Sequence, residues 1–375
     1  MAGIYIHIPF CGHACTYCDF YFTTHLQFKE KFLNTICHEI ELRKGFLDEN
    51  EISTIYFGGG TPSQLSAKEI ERILNEIKKN FKVTKNVEIT LECNPDDINL
   101  NSAKALYSIG VNRLSMGIQS FHDNELTLLG RRHTGKEALD AVNAIKKAGF
   151  SNFNLDLIYG IPNSDLISWE KNLETIIKLQ PNHISSYCLT IESGTQLDYQ
   201  VKKKRVVLPS ENVVISQFEA LMDNLVGSKY DHYEISNFAL KGFESKHNTS
   251  YWQGTSYLGL GPSAHSFNGI NRKINIANTN KYCDLLKDDK GFEWEYLSET
   301  DRFNEFIMTG LRTKWGIDLD FIQESFPDSF ILQLKIDLEN PIKNSLLLLK
   351  NSNVVLTQKG KLFADKIASD LFRVS

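Results

Sequence analysis

From residue 3 to about residue 190 the chain repeats one unit, a short run of apolar and β-branched residues followed by a stretch with apolar side chains at helical spacing. The short runs fall at residues 4–8, 52–57, 87–93, 112–118, 153–159 and 184–190. They lack the alternation of a half-solvated strand, which suits strands buried on both faces. Phe28, Phe32, Leu33, Ile36 and Ile40 mark the face of one intervening helix. Ser66, with Glu69 three residues on, forms a capping box that opens a second helix carrying Ile70, Ile73, Leu74 and Ile77. Further helices are expected near 136–149 and 166–179. Six β–α units predict an α/β fold with parallel strands and crossover helices, as an open sheet or a partial barrel. In either form the functional residues belong at the carboxyl ends of the strands.

After about residue 195 the rhythm changes. Residues 202–205, Lys-Lys-Lys-Arg, are the one dense basic run and read as a solvated loop, with contact to an anionic ligand or membrane face as the sharper alternative. A helix near 211–226 and a Tyr/Trp/Gly-rich stretch at 232–269 follow. Helical patterns at 302–312 and 319–324, a hairpin in LLLLK-NSN-VVLT and a closing helix at 358–372 predict a small C-terminal α+β, winged-helix-like unit. The division expected is 1–195, 196–294 and 295–375. From residue 296 onward there are 10 basic and 11 acidic residues, so no basic face supports nucleic-acid binding. The whole chain carries 41 Lys+Arg against 46 Asp+Glu, a net charge of -5, which disfavours a polyanion coat. No apolar run approaches the roughly 18 residues of a membrane span, and the first residues do not read as a signal peptide. A soluble, cytoplasmic protein is expected.

Seven cysteines include three within eight residues, Cys11, Cys15 and Cys18, directly after the first strand. Such crowding argues for a metal or cluster site rather than a disulfide framework. Tetrahedral zinc would need a fourth ligand, which His7 or His13 could supply. A four-iron cluster on three cysteines would instead leave one iron open. Spacing alone does not choose between them. Gly58-Gly59-Gly60-Thr61-Pro62 follows the second strand, where glycines permit close backbone approach to a polar ligand. Glu92 and Gln119 end the third and fourth strands, and Asp156 lies within the fifth, so polar groups face one crevice.

Together the blocks YIHIPFC, CxxxCxxCDF, YFGGGTPS, LECNP, NRLSMGIQSF, LGRRH, NLDLIYGIP and KHNTSYW resemble the radical S-adenosylmethionine superfamily, over nearly the whole chain. Within it they resemble the branch of the oxygen-independent coproporphyrinogen III oxidase and the related heme chaperone. The resemblance implies a partial (β/α)6 barrel in which Cys11, Cys15 and Cys18 hold a [4Fe–4S] cluster. It also implies that S-adenosylmethionine chelates the open iron and is cleaved to a 5′-deoxyadenosyl radical on one-electron reduction. Tyr5 and Tyr17 match residues that contact this cofactor near the cluster, Gly59 the glycine at its methionyl part, and Glu92 a carboxylate of the same site. Gly60, Thr61, Gln119, Arg131 and Asp156 match positions that hold a second S-adenosylmethionine in the oxidase. Residues 259–265, Gly-Leu-Gly-Pro-Ser-Ala-His, correspond to another loop near that site.

Two departures separate this chain from the oxidase. Asp19-Phe20 stands where the oxidase pattern continues to a fourth cysteine, and the chain reaches Tyr5 without the oxidase's N-terminal arm. Both features match the heme chaperone group, as does the HNxxYW signature His247-Asn248-Thr249-Ser250-Tyr251-Trp252. If this segment is helical, His247 and Tyr251 share a face as candidate heme ligands, with Trp252 alongside to pack on a macrocycle. His13, His133 and His265 read as structural, and His7 and His183 as core residues on strands. Arg131, Arg132 or the 202–205 run could pair with heme propionates. The resemblance thus implies heme as cargo, respiratory hemoproteins as acceptors with at least transient membrane contact, and no oxidase activity. The alternative is the oxidase itself, converting coproporphyrinogen III to protoporphyrinogen IX. Monomer and dimer remain equally open.

Overall fold

The computed structural model describes residues 2–47 and 51–374. The six apolar runs form β1 (Ala2–Ile8), β2 (Glu51–Gly59), β3 (Lys82–Cys93), β4 (Arg113–Gln119), β5 (Phe153–Tyr159) and β6 (His183–Cys188), each paired in parallel with the next. Burial on both faces explains the missing alternation: in β1 every residue but Tyr5 is buried. Helices α1 (Lys29–Leu42), α2 (Ala67–Asn80), α3 (Leu100–Ser108), α4 (Asp123–Leu128), α5 (Gly135–Ala148) and α6 (Leu166–Leu179) supply the crossovers. Helix α1 buries Phe32, Leu33, Ile36 and Ile40, the face its periodicity marks. At α2 the capping box closes both ways: the Glu69 N–H donates to the Ser66 hydroxyl (3.3 Å) and the Ser66 N–H to the Glu69 carboxylate (2.6 Å).

Residues 196–294 extend this sheet at both edges. After α7 (Gln196–Lys202) and α8 (Glu211–Gly227), the hairpin of β7 (Asp231–Glu234) and β8 (Asn237–Ala239) pairs antiparallel with β6. Helix α9 (Lys246–Trp252) then leads to β9 (Tyr257–Leu260), which returns to lie parallel to β1. β10 (His265–Phe267), β11 (Asn271–Asn275) and β12 (Phe292–Tyr296), with α10 (Thr279–Leu285) before β12, complete a 12-stranded sheet. In the basic run, Lys202 pairs with Asp198 (2.7 Å) and residues 203–205 are exposed, as a solvated loop requires.

The C-terminal residues have a core of their own, built on Phe303, Ile307, Leu311, Leu334 and Val354. Its order is α11 (Glu299–Leu311), β13 (Ile317–Asp318), α12 (Leu319–Ser325), α13 (Asp328–Lys343), β14 (Leu347–Lys350) and β15 (Asn353–Leu356), the helix–strand–helix–helix–strand–strand order of a winged helix. The closing helix expected at 358–372 is two pieces, α14 (Gln358–Lys361) and α15 (Ala364–Asp370). Among the described residues no helix is long and apolar enough to cross a membrane.

Candidate cluster and cofactor site

Strand β1 delivers Cys11 to the top of the sheet. A short parallel bridge, Phe10 with Thr23, holds the loop's two ends: the Cys11 N–H donates to Thr23 O (3.0 Å) and the Thr23 N–H to Pro9 O (2.7 Å). Midway, Thr16 ties the loop to the turn after α4, its N–H donating to Leu129 O (3.1 Å) and its hydroxyl to Leu128 O (2.9 Å). The three cysteines are free thiols. Burial pushes Cys11 up and Cys18 up to about 11, so neither sheds its proton readily without a metal to replace it.

Two side chains aim donors at these sulfurs, Thr61 from the end of β2 and Arg131 from the turn after α4. The Thr61 hydroxyl donates to Cys11 Sγ (3.3 Å) and Arg131 Nη1 to Cys15 Sγ (3.4 Å). Asn94 connects the two, its Nδ2 donating to Thr61 Oγ1 (3.4 Å) and its Oδ1 accepting from Arg131 Nη2 (2.6 Å). A polar chain therefore runs from Cys11 through Thr61, Asn94 and Arg131 to Cys15. Among the described residues no three His, Cys, Asp or Glu side chains gather around one ion-sized point. A cube of iron and sulfide spreads its thiolates more widely, and donors directed at sulfur are what such clusters use to set their electronics. The residues fit that group.

Below the cysteines the glycines make room. Gly59 has φ of 106°, and a Cβ on it would lie 2.7 Å from the His7 ring. A Cβ on Gly60 would lie 2.9 Å from the Pro9 carbonyl carbon. The Gly59 N–H donates to Glu92 Oε2 (3.2 Å) while Tyr56 OH donates to Glu92 Oε1 (2.8 Å). Burial, with Asp156 adding repulsion, pushes Glu92 up to about 7. Asp156 is likewise pushed up to about 6 by burial and accepts from Asn154 Nδ2 (2.5 Å). Gln119 ends β4 at φ of 70°, a left-handed backbone at a register break against β5. Burial raises the hydroxyl pKa of Tyr5 and of Tyr17, the latter beside Arg131. Tyr17 lies beside Arg131, Cys15, Cys18 and Asp156, Tyr5 lies beside Glu92, and Gln119 meets Arg131 and Asn94 over Gly117. These residues thus form a connected set with Gly59, Gly60, Thr61 and the cysteines.

Sequence reasoning passed over Asn94 and Arg113. Asn94 lies inside the quoted LECNP block, but only its contacts reveal the bridge. Arg113 is buried with an unpartnered Nε and lowers the pKa of both Glu92 and Asp156. Nothing in its apolar strand signals this. His7 and His183 behave as core histidines, each held through both ring nitrogens.

The HNxxYW segment is helical, as α9, and packs near the amino ends of β1 and β2, with His247 stacked beside Tyr5 at 6.4 Å. A Cβ on Gly3 would meet the His247 ring at 3.2 Å. His247 bonds through Nδ1 to the Thr54 hydroxyl (2.8 Å) and through Nε2 to the Tyr251 hydroxyl (2.8 Å), stacked on Tyr56 at 5.0 Å. Burial lowers it to about 3, so the ring is neutral. In this arrangement neither ring nitrogen is open to iron.

Comparison with known proteins agrees with this geometry. The model of the radical SAM superfamily matches residues 5–176, and that of the HemN C-terminal domain matches residues 297–363. The heme chaperone HemW of Lactococcus lactis is 34% identical over 357 residues, covering 95% of this chain and 93% of the relative. That of Bacillus subtilis is 33% identical over 373 residues, covering 98% of each. This chain belongs to the HemW family of radical SAM proteins. In fold the family's frame extends to the coproporphyrinogen III oxidase HemN of Escherichia coli, whose structure superposes with a TM-score of 0.85 over 99% of this chain and 90% of that one at 24% identity. Asp19 is exposed beside Cys18.

Proposed function

We propose that this protein is a heme chaperone that carries a [4Fe–4S] cluster on Cys11, Cys15 and Cys18, with S-adenosylmethionine beside it, and hands heme to respiratory hemoproteins. The observation that carries the cluster is the chain Cys11–Thr61–Asn94–Arg131–Cys15, which spends three polar side chains on two sulfurs. The full-length likeness to proteins named heme chaperones carries the cargo. When bound, the cluster supplies one-electron chemistry at an iron left open by the fourth ligand's absence. Thr61 and Arg131 hold the sulfurs by hydrogen bonds. The glycines let the cofactor approach the backbone, and Glu92 offers a carboxylate to a cationic group, with Tyr56 and the Gly59 N–H fixing its oxygens. Of the HNxxYW residues, Tyr251 and Trp252 border open space, whereas His247 anchors Tyr251.

A second reading, coproporphyrinogen oxidation, is favoured by the presence of Gln119, Arg131 and Asp156 at one crevice and opposed by Asp19. Anaerobic incubation of cluster-loaded protein with coproporphyrinogen III, S-adenosylmethionine and a low-potential reductant separates the two. No loss of carboxyl groups by mass, with cluster content intact and hemin bound in a parallel titration, is the expected result. Loss of two carboxyl groups would establish the oxidase instead. Serine at Cys11, Cys15 or Cys18 is expected to abolish the broad visible absorption after reconstitution, and serine at Cys37, Cys93, Cys188 or Cys283 to leave it.

A further inference from the structure

We infer that a metalloporphyrin lies in the cleft between α9, the β9–β11 edge of the sheet and the C-terminal unit, a site distinct from the cluster crevice. The inference rests on the chaperone reading and says where the cargo sits. The cleft has a volume of about 1240 Å³, above the roughly 300–1,000 Å³ of ordinary ligand pockets. One wall is Tyr251, Trp252 and Tyr257; the other is α11, α12 and the β14–β15 hairpin. Large apolar side chains stand uncovered along it: Met308 is 44% exposed, Trp315 38% and Phe321 45%. Flat aromatic surface of this extent suits a flat macrocycle. Trp252 also points an Nε1–H that has no partner.

Charge narrows the ligand. Among the cations lining the cleft, Arg272 is held by Glu305 through two bonds and Lys314 by Asp231 and Glu244. Arg302 and Lys350 line it with no carboxylate partner among the described residues. Of the lining acids, Glu305 is thereby engaged and Asp318 caps α12 by accepting from the Asp320 and Phe321 N–H groups. Two unspent cations over an aromatic cleft fit two carboxylates on an apolar plane. The lining holds no histidine or cysteine, and its one soft donor is the Met308 thioether. A weak iron ligand suits a cargo that must leave.

The test is hemin titration of the full-length, cluster-loaded protein by absorption. Three proteins are compared: wild type, the double variant Arg302→Glu/Lys350→Glu, and Thr309→Trp, which fills the cleft from α11. Both variants change exposed or half-exposed residues, and cluster content with thermal unfolding reports their folding. The dissociation constant is expected to rise at least tenfold in each. Hemin dimethyl ester, lacking the free carboxylates, is expected to bind wild type and the charge variant alike. Hemin binding within twofold of wild type in both variants overturns the site while leaving the chaperone reading intact. Wild type that binds no hemin overturns both.

Discussion

Glu92 concentrates the electrostatic tension of the cluster crevice in one side chain. Its pKa stands at about 7 against an ordinary 4.5, chiefly through burial. A raised folded-state pKa means that folding takes up a proton between those values, so stability is greatest at low pH and is lost as pH rises through 7. Asp156 follows the same sign between 3.8 and about 6. The buried His7, His133, His232 and His247, lowered to about 3–4 from 6.5, carry the opposite sign, so the difference from Glu92→Gln is what isolates Glu92. Between pH 6 and 7.5 the metal-free protein should lose about 1 kcal/mol more unfolding free energy than Glu92→Gln. Urea titrations of both proteins at the two pH values measure the difference, and parallel behaviour would show Glu92 already ionised when folded. Thr61→Val is the companion change. Loss of a hydrogen bond to a cluster sulfur lowers the reduction potential, so the reconstituted variant should show a more negative midpoint in a potentiometric titration with its iron content unchanged.

At the scale of elements, α9 shows how a signature motif is built into the fold. Its first N–H groups, on Lys246 and His247, donate to the Glu88 carboxylate (3.3 and 3.2 Å), and His247 then links Thr54 on β2 to Tyr251 on the helix's own next turn. His247→Ala would empty a buried, stacked position and leave two hydroxyls without partners, for a cost of about 2–4 kcal/mol in chemical denaturation. The variant should bind hemin more weakly, through a displaced Tyr251, with an unchanged Soret position; a shifted band would make the imidazole itself the iron ligand. The helical spacing of His247 and Tyr251 is legible in sequence, but which way the helix faces is not. The same divide runs through the fold. The parallel strands and the Ser66 cap follow from local pattern, because burial and capping act within a few residues. β9 pairs with β1 across more than 250 residues of chain, so nothing in its four residues, Tyr257–Leu260, announces the partner. Helix α13 escapes notice for another reason: Pro341 stands in its last turn, and Leu332 and Ile336 on its exposed face blur the period. The cluster ligands are legible because they are packed into one loop. Asn94 is not, because its role exists only where β2, β3 and the turn after α4 meet.

On the scale of the whole molecule, several ion pairs join the two cores, with Arg312 among them. Arg312, at the end of α11, reaches back to Glu234 on β7 (3.1 Å), pairs with Asp365 on α15 (3.0 Å) and lies over the Trp252 ring at 5.5 Å. Main-chain bonds run alongside, from the Ile235 N–H to Arg312 O (3.0 Å) and from the Lys314 N–H to Tyr233 O (2.9 Å). One guanidinium thus touches the sheet, the C-terminal unit and the wall of the aromatic cleft. Glu234 is 1% exposed in its side chain, and removing its partner leaves a buried charge. The cost of that is about 3–5 kcal/mol, moderated here by the Ser236 N–H and Asn237 Nδ2, which also bond the carboxylate. Because these contacts join the cores rather than build either one, Arg312→Ala should loosen the C-terminal unit while the barrel stays folded. Hydrogen exchange should then quicken across residues 299–370 and leave β1–β5 protected, with cluster content intact. Hemin affinity should fall in the same variant, since the cleft loses the registration of its two walls. Uniform exchange with unchanged hemin binding would mean that the backbone bonds, with the Arg272–Glu305 and Lys314–Asp231 pairs, suffice to hold the units together.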